Sequence, residues 1–203
     1  HSPKNKTGRA RALPLLMWSL IPSVALVLFA ACVGCYLYFA QGLPDFTTIT
    51  DYRPPRVTTV KTRDGQVLGR FYHEMRYPVE LDSLPGHLVK AFLAVEDHGF
   101  YEHQGVDPLA ILRAFLVNTV EGDIVQGGST ITQQVVKQLL LNPEKRFERK
   151  VREAILAYRL EKNLSKDDIL TIYLNQVFFG AGAYGVEAAT RVYFAKHAVE
   201  LSL

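Results

Sequence analysis

The sequence predicts a mainly α-helical domain preceded by one transmembrane helix. Residues 13–40 contain no charged side chain, and beyond Ser83 apolar residues recur at helical spacing between helix caps. The clearest strand signal is a short hairpin around Gly65. With 48% hydrophobic and 21% charged residues, the 203-residue chain fits one folded domain plus an anchor, and its composition excludes a disordered protein.

The N-terminal segment is expected to anchor the chain in a membrane. Residues 1–12 carry Lys4, Lys6, Arg9 and Arg11 without an acid, and we interpret them as a cytoplasmic tail. Residues 13–40, at a helical rise of about 1.5 Å each, exceed the roughly 30 Å of a bilayer's hydrocarbon core. Everything after residue 40 is then expected to face outward. A cleavable signal peptide is the alternative, although its apolar region would be shorter.

Charge and cysteine content argue against two kinds of function. The formal net charge of +3 is small, and the chain beyond its N-terminus has no lysine-rich block with interleaved aromatics, so no nucleic-acid partner is expected. Cys32 and Cys35 both fall inside the apolar segment. We interpret them as small residues of a membrane helix rather than as a zinc site or a redox pair.

Residues 41–56 are expected to form an extended linker, and residues 57–203 the folded domain. Prolines interrupt any helix in the linker. Asp64-Gly65 then lies between two short β-type segments, residues 57–60 and 66–72, which predicts a β-hairpin. We expect the domain to continue beyond residue 203.

The remaining segments are predicted to be helical. Ser83 and Pro85 begin a helix that runs to Glu96, and Asp107-Pro108 caps a second helix over residues 109–120. The second helix is apolar on nearly all sides, with Arg113 as its only charge. Such a helix is usually buried, and a segment dipping into a membrane surface is the alternative.

Four further helices are predicted in the second half of the chain. Thr130 and Gln133 are spaced as a capping box for a helix that ends before Asn142-Pro143. Residues 144–163 form an amphipathic helix with a dense basic patch, and Ser165 caps the next helix, through Leu174. Residues 175–185 are expected to be a loop before a last helix that begins near Val186.

Glu96 and Asp97 are the first candidate catalytic residues. They follow the apolar run Ala91–Val95, which is expected to lie in a core. A partly desolvated carboxylate accepts a proton more readily, and Glu96 could therefore act as a general base. The structural alternative is that both carboxylates end a helix in solvent and that His103 caps the same turn.

A cluster of cations predicts a site for an anion. It comprises Lys137, Arg146, Arg149, Lys150 and Arg152. Cations of this kind would stabilise the charge on a departing phosphate or pyrophosphate. Glu153 is either an i, i+4 partner of Arg149 or a second catalytic carboxylate that orients a pyrophosphate through water or a divalent ion.

Four motifs in one order resemble those of peptidoglycan glycosyltransferases. They are Glu96-Asp97-x-x-Phe100-x-x-His103-x-Gly105, then Gly128-Ser129-Thr130-Ile131-Thr132-Gln133-Gln134-x-x-Lys137, then Arg149-Lys150-x-x-Glu153, and finally Lys166-x-x-Ile169-Leu170-x-x-Tyr173-Leu174-Asn175. The closest resemblance is to the transglycosylase module of class A penicillin-binding proteins. It covers about residues 56 to 203.

The resemblance implies a lysozyme-like glycosyltransferase fold with a small membrane-proximal jaw. Residues 109–120 fall where the family places this jaw, which favours the membrane-dipping interpretation of that helix over burial. It implies inverting polymerisation of lipid II into β-1,4-linked glycan with release of undecaprenyl pyrophosphate, outside a bacterial cytoplasmic membrane. Glu96 would be the base, supported by Asp97, and Glu153 would also be catalytic. Substrate would be bound by Phe100, His103, Ser129, Thr130, Gln133, Gln134, Lys137, Arg149, Lys150 and Asn175.

The implied partners are lipid II, the growing glycan strand, the bilayer and, as an open option, other cell-wall synthesis proteins. A divalent cation (Mg²⁺ or Mn²⁺) at the donor pyrophosphate is also left open, whereas no organic cofactor is expected. Thr171 and Ala195 replace a glutamate and a glycine that the family usually carries, and we expect altered packing with retained activity. A lysozyme-like hydrolase and an inactive cell-wall scaffold are the alternative functions.

Overall fold

A computed structural model describes residues 9–44, 57–123, 127–141 and 146–202 of the chain. The chain divides into two compact units, residues 1–43 and 44–203. In the first unit, helix α1 spans Arg9–Ala40, and within it Pro22–Ala40 is long and apolar enough to cross a membrane. The predicted anchor helix is thus present. Most of the expected tail and linker, residues 1–8 and 45–56, lies outside the described residues.

The second unit begins with the predicted hairpin. Strands β1 (Thr58–Lys61) and β2 (Val67–Phe71) pair in antiparallel fashion, and Gly65 in the connecting turn has φ +85°. Only glycine adopts this backbone conformation without strain, which explains the Asp-Gly signal.

A second, two-stranded sheet joins distant parts of this unit. Strand β3 (Met75–Arg76) pairs in parallel with β4 (Ala183–Tyr184). Arg76 is buried there and donates to Gln176 Oε1 at 2.6 Å, and its guanidinium lies 4.3 Å from the centre of the Tyr184 ring. The sheet therefore holds the segment before the first helix of this unit against the loop that contains β4.

The core of the second unit consists of packed helices. After a 3₁₀ turn at Leu81–Ser83 come α2 (Gly86–Glu96), α3 (Pro108–Glu121), α4 (Ile131–Leu139), α5 (Arg146–Glu161), α6 (Lys166–Gln176) and α7 (Val186–Phe194). Helix α4 packs against α5 and α6 through side chains that are almost fully buried, among them Ile131, Val135, Leu156, Leu160, Ile169 and Leu174. The predicted mainly helical fold is confirmed.

Three predicted helix caps are also confirmed, whereas Ser83 lies in the 3₁₀ turn and α2 begins after Pro85 without a side-chain cap. Asp107 accepts hydrogen bonds at the start of α3, and Thr130 and Ser165 form capping boxes for α4 and α6. Helix α6 extends two residues beyond its predicted end and so includes Asn175. The expected stop at Asn142-Pro143 lies outside the described residues.

The burial predicted from the pattern of α3 is wrong. Leu109 is 71% exposed and Val120 is 84% exposed, and Ala114 is the buried residue of this helix. An apolar helix that its own domain leaves uncovered retains the second interpretation, contact with a membrane surface.

The two departures from the family pattern have local consequences. Thr171 donates its hydroxyl to the Asp167 carbonyl at 2.7 Å, a bond within α6. Ala195 ends α7 in the left-handed conformation with φ 53°. Glycine adopts this C-cap conformation freely, whereas an L-alanine there costs about 1 kcal/mol.

Candidate active site

Glu96 is the last residue of α2, and its carboxylate is exposed rather than buried. Val95 beside it is 82% exposed, so the expectation that the run Ala91–Val95 lies in a core is wrong. On the inner side of the helix, the Phe92 ring packs against the rings of Tyr173 and Phe179. Gln134 Nε2 of α4 donates to Glu96 Oε2 at 2.9 Å and so orients the carboxylate.

A cavity of about 740 Å³ opens beside Glu96. The predicted site residues that line it are Glu96, Asp97, His103, Ser129, Thr130 and Gln134. Arg113 and Leu109 of the exposed helix α3 complete its wall. The cavity thus joins an exposed carboxylate, hydroxyl and amide groups and an apolar rim, a combination typical of a ligand-binding site.

Asp97 has a different environment from Glu96 although the two are adjacent. The residue is 7% exposed, and its carboxylate accepts the Ile131 backbone N–H at 2.9 Å through Oδ2. His103 Nε2 lies 3.0 Å from the same oxygen. Asp97 therefore attaches the end of α2 to the start of α4, and this position supports Glu96 indirectly.

The other residues of the first motif build the turn that follows Asp97. Phe100 is fully buried, and the Lys166 ammonium lies 4.5 Å from the centre of its ring. Gly105 has φ +85°, and its carbonyl accepts the Thr130 hydroxyl at 2.6 Å. A Cβ at position 105 would come within 2.6 Å of the Ala157 backbone, which explains why glycine stands there.

The second motif supplies both structural and accessible groups. Gln133 is buried, and its side-chain oxygen accepts the Thr130 backbone N–H at 3.1 Å, so its amide is part of the capping box. Ser129 accepts from Lys150 Nζ at 2.7 Å. Lys137 is exposed one turn beyond Gln134 and forms no ion pair within the part of the chain that the structure describes.

The basic helix α5 carries Glu153 as a buried ion-pair partner. Arg149 Nε lies 3.2 Å from Glu153 Oε1, and Lys150 Nζ lies 2.9 Å from Oε2. Lys150 also reaches Ser129, so it connects α5 to the rim of the cavity. The ion-pair interpretation of Glu153 is observed, and its catalytic role stays a prediction. The side chain of Arg146 lies outside the description.

The donor set near Glu153 does not fit a metal ion held by the protein. Both of its oxygens face cations, which would repel Mg²⁺ or Mn²⁺. Among the described residues no group of three or more His, Cys, Asp or Glu side chains could hold a metal. The divalent cation stays a prediction.

The predicted residues are not all brought to the cavity. Phe100, Gln133, Lys137, Arg149, Lys150, Glu153 and Asn175 are not among its lining residues. The Asn175 amide bonds both the N–H and the carbonyl of Val79, at 2.9 and 2.8 Å, which is a structural role. Lys137 stands on α4, one turn beyond Gln134, and Arg149 stands on α5, and neither side chain lines the cavity.

Three residues near the site were not predicted as site residues. Glu161 and Lys166 form an ion pair at 2.7 Å behind the first motif. Burial raises the pKa of the Tyr173 phenol, and the neighbouring negative charge of Glu96 raises it further. Lys166 and Tyr173 belong to the fourth motif, which could have identified them as site residues. No motif in the sequence includes Glu161.

Comparison with known proteins identifies the family of this chain. The family profile described as "Transglycosylase" matches residues 64–203. The chain is 44% identical over 183 residues to "Penicillin-binding protein 1A" of Aquifex aeolicus (strain VF5), which covers 90% of this chain and 25% of that protein. It is 42% identical over 193 residues to "Penicillin-binding protein 1A" of Escherichia coli (strain K12), covering 94% of this chain and 23% of that protein. The chain thus spans about a quarter of the length of these relatives.

Proposed function

This chain belongs to the transglycosylase family, and from that membership we propose that residues 57–203 polymerise lipid II into peptidoglycan glycan strands. The observation that carries the proposal is the accessible Glu96 carboxylate beside a cavity of about 740 Å³, held by Gln134 and next to Ser129 and Thr130. A carboxylate that is oriented but open to solvent and ligand can reach a substrate hydroxyl.

In the proposed reaction Glu96 removes the proton from the 4-hydroxyl of the acceptor sugar. The oxygen then forms a bond to the anomeric carbon of the growing chain from the face opposite the leaving group. The bond between that carbon and the phosphate oxygen breaks, and undecaprenyl pyrophosphate leaves with the bonding electron pair. The result is a β-1,4 linkage with inversion at the anomeric carbon.

The leaving pyrophosphate is assigned to the cations of α4 and α5. Lys137 is exposed and unpaired among the described residues, whereas Arg149 and Lys150 share the single carboxylate of Glu153. Two cations against one anion leave a net positive charge beside Ser129. Such a site favours the charge that develops on a departing phosphate.

The substrate's lipid is assigned to a membrane that both units contact. Pro22–Ala40 of α1 meets the length and composition of a spanning helix, and α3 exposes Leu109, Leu112, Phe115, Leu116 and Val120. We place the N-terminus in the cytoplasm and the cavity outside, following the basic residues before α1. Other cell-wall synthesis proteins remain an expected class of partner.

The decisive experiment gives the full chain, in lipid vesicles, either lipid II or purified glycan. We expect polymer from lipid II, no cleavage of glycan, and loss of polymerisation by at least about a hundredfold in Glu96→Gln, which removes the base but keeps the hydrogen bond to Gln134. Cleaved glycan without polymer would instead identify a hydrolase. Equal polymerisation by Glu96→Gln would contradict the assignment of the base, and no activity on either substrate would favour a scaffold.

A further inference from the structure

The buried carboxylate of Glu161 takes no part in the proposed reaction, yet it lies behind the residues that hold Glu96. Its side chain is 6% exposed, at the end of α5. The Thr132 hydroxyl donates to Oε1 at 2.6 Å, and Lys166 Nζ lies 2.7 Å from Oε2. Burying a carboxylate costs desolvation free energy unless its partners compensate for it, so a buried carboxylate such as Glu161 is a candidate for a specific role.

His103 lies between Glu161 and Asp97. Its Nε2 is 3.0 Å from Asp97 Oδ2, and its Nδ1 faces Glu161 Oε1 at 3.9 Å. That Nδ1 is buried and has no hydrogen-bond partner among the residues that the structure describes. Lys166 donates to the His103 carbonyl at 2.7 Å from a third side. The charged groups around the imidazole thus come from the end of α2, from α5 and from α6.

Glu96 and Asp97 are attached to helix α4 one turn apart. Asp97 accepts the N–H of Ile131, and Glu96 accepts the side chain of Gln134, three residues further along. The separation between α4 and the turn after α2 therefore decides where the Glu96 carboxylate lies in the cavity. Glu161 contacts both elements, α4 through Thr132 and the turn through His103.

We propose that Glu161 is a positioning residue that, through His103 and Asp97, fixes the Glu96 carboxylate for proton transfer. This inference rests on the proposed function of Glu96. Glu161 is not among the residues that line the cavity, so it acts on the reaction only through the groups it braces. A displacement of about 1 Å in a reacting group can cost up to about a hundredfold in rate.

The test measures kcat and KM for lipid II with the full chain carrying Glu161→Gln. The glutamine keeps the shape and an acceptor for Thr132, but it removes the negative charge that faces His103 and Lys166. We expect kcat to fall about tenfold to a hundredfold while KM stays within about twofold, since the substrate contacts are unchanged. Thermal unfolding of each variant, recorded separately, establishes that it is folded at the assay temperature.

Asp167→Asn is the matched control. Asp167 accepts the Tyr101 hydroxyl at 2.9 Å, so it also braces the turn after α2, but through an exposed hydrogen bond that does not involve His103. We expect its kcat to equal that of the unchanged protein. Thr132→Val provides a second route to the same effect, because it removes the hydroxyl that reaches Glu161, and Thr132→Ser should restore the rate.

A double variant tests whether Glu161 acts on Glu96 through Asp97. Glu161→Gln combined with Asp97→Asn should be no slower than Asp97→Asn alone, because Asp97→Asn already removes the contact through which Glu161 acts. Additive losses would overturn the inference, as would an unchanged kcat in Glu161→Gln or an equal loss in Asp167→Asn. These failures leave the proposed function intact as long as Glu96→Gln is inactive. Should Glu161→Gln not fold, the Thr132→Val and Thr132→Ser pair decides the question.

Discussion

At the scale of single residues, neighbours in the sequence have opposite environments. Glu96 is exposed at the cavity, whereas Asp97 is buried against a backbone N–H and an imidazole. The last turn of α2 ends between them, and Asp97 with φ −160° turns its side chain inward. One carboxylate is therefore available to a substrate while the other holds the helix end in place.

Gly105 offers a test of how tightly this turn is built. Gly105→Ala should lower the free energy of unfolding by about 2 to 4 kcal/mol, because the new methyl group would meet the Ala157 backbone at 2.6 Å in a left-handed conformation. Chemical denaturation measures the change. Gly65→Ala is the matched control, since Gly65 has the same φ of +85° with nothing within 4 Å, and it should cost only about 1 kcal/mol. Equal losses in both variants would mean that the contact with α5 is unimportant.

At the scale of elements, α3 differs from the other helices of its unit because its apolar side chains are left uncovered. The capping Asp107 and the left-handed Gly122 define a complete helix, so the exposure is not a consequence of an unformed element. Burying a large apolar side chain contributes about 1.5–3 kcal/mol. A bilayer surface would supply that burial for Leu109, Phe115 and Val120 together.

Replacing Phe115 and Leu116 by serine distinguishes membrane contact from core packing. Because both side chains are more than half exposed, we expect the free energy of unfolding in detergent to change by no more than about 0.5 kcal/mol per residue. In lipid vesicles the KM for lipid II should rise about tenfold or more, as the cavity would lose its apposition to the bilayer. Val67→Ser and Leu68→Ser in the exposed strand β2 are the controls. A large loss of stability, or an unchanged KM, would count against membrane contact by α3.

At the scale of the whole molecule, the chain consists of two compact units. The division at residue 43 leaves the whole cavity and its supporting helices in residues 44–203. Cooperative folding requires a core of its own, and the second unit has one between α4, α5 and α6.

Deleting residues 1–40 should therefore leave a folded protein. We expect a cooperative thermal transition and retained polymerisation of lipid II in detergent, with a rate in vesicles reduced about tenfold or more, because membrane attachment concentrates the enzyme at its substrate. Circular dichroism and the polymerisation assay measure the two effects. A deletion variant that fails to fold would contradict the proposed division into domains.

The sequence by itself determined the elements and the family, because both depend on local patterns. Caps at Asp107, Thr130 and Ser165, the Asp-Gly turn and the charge-free span all act within a few residues, and the motifs can be identified in order along the chain. Only the tertiary structure decided which side chains the elements cover. The pattern of α3 predicted burial, whereas the helix is exposed. The side chain of Asn175 bonds the Val79 backbone 96 residues away, and Glu161 of α5 faces His103 in the turn after α2. Such contacts depend on how distant segments pack, which local sequence patterns do not predict.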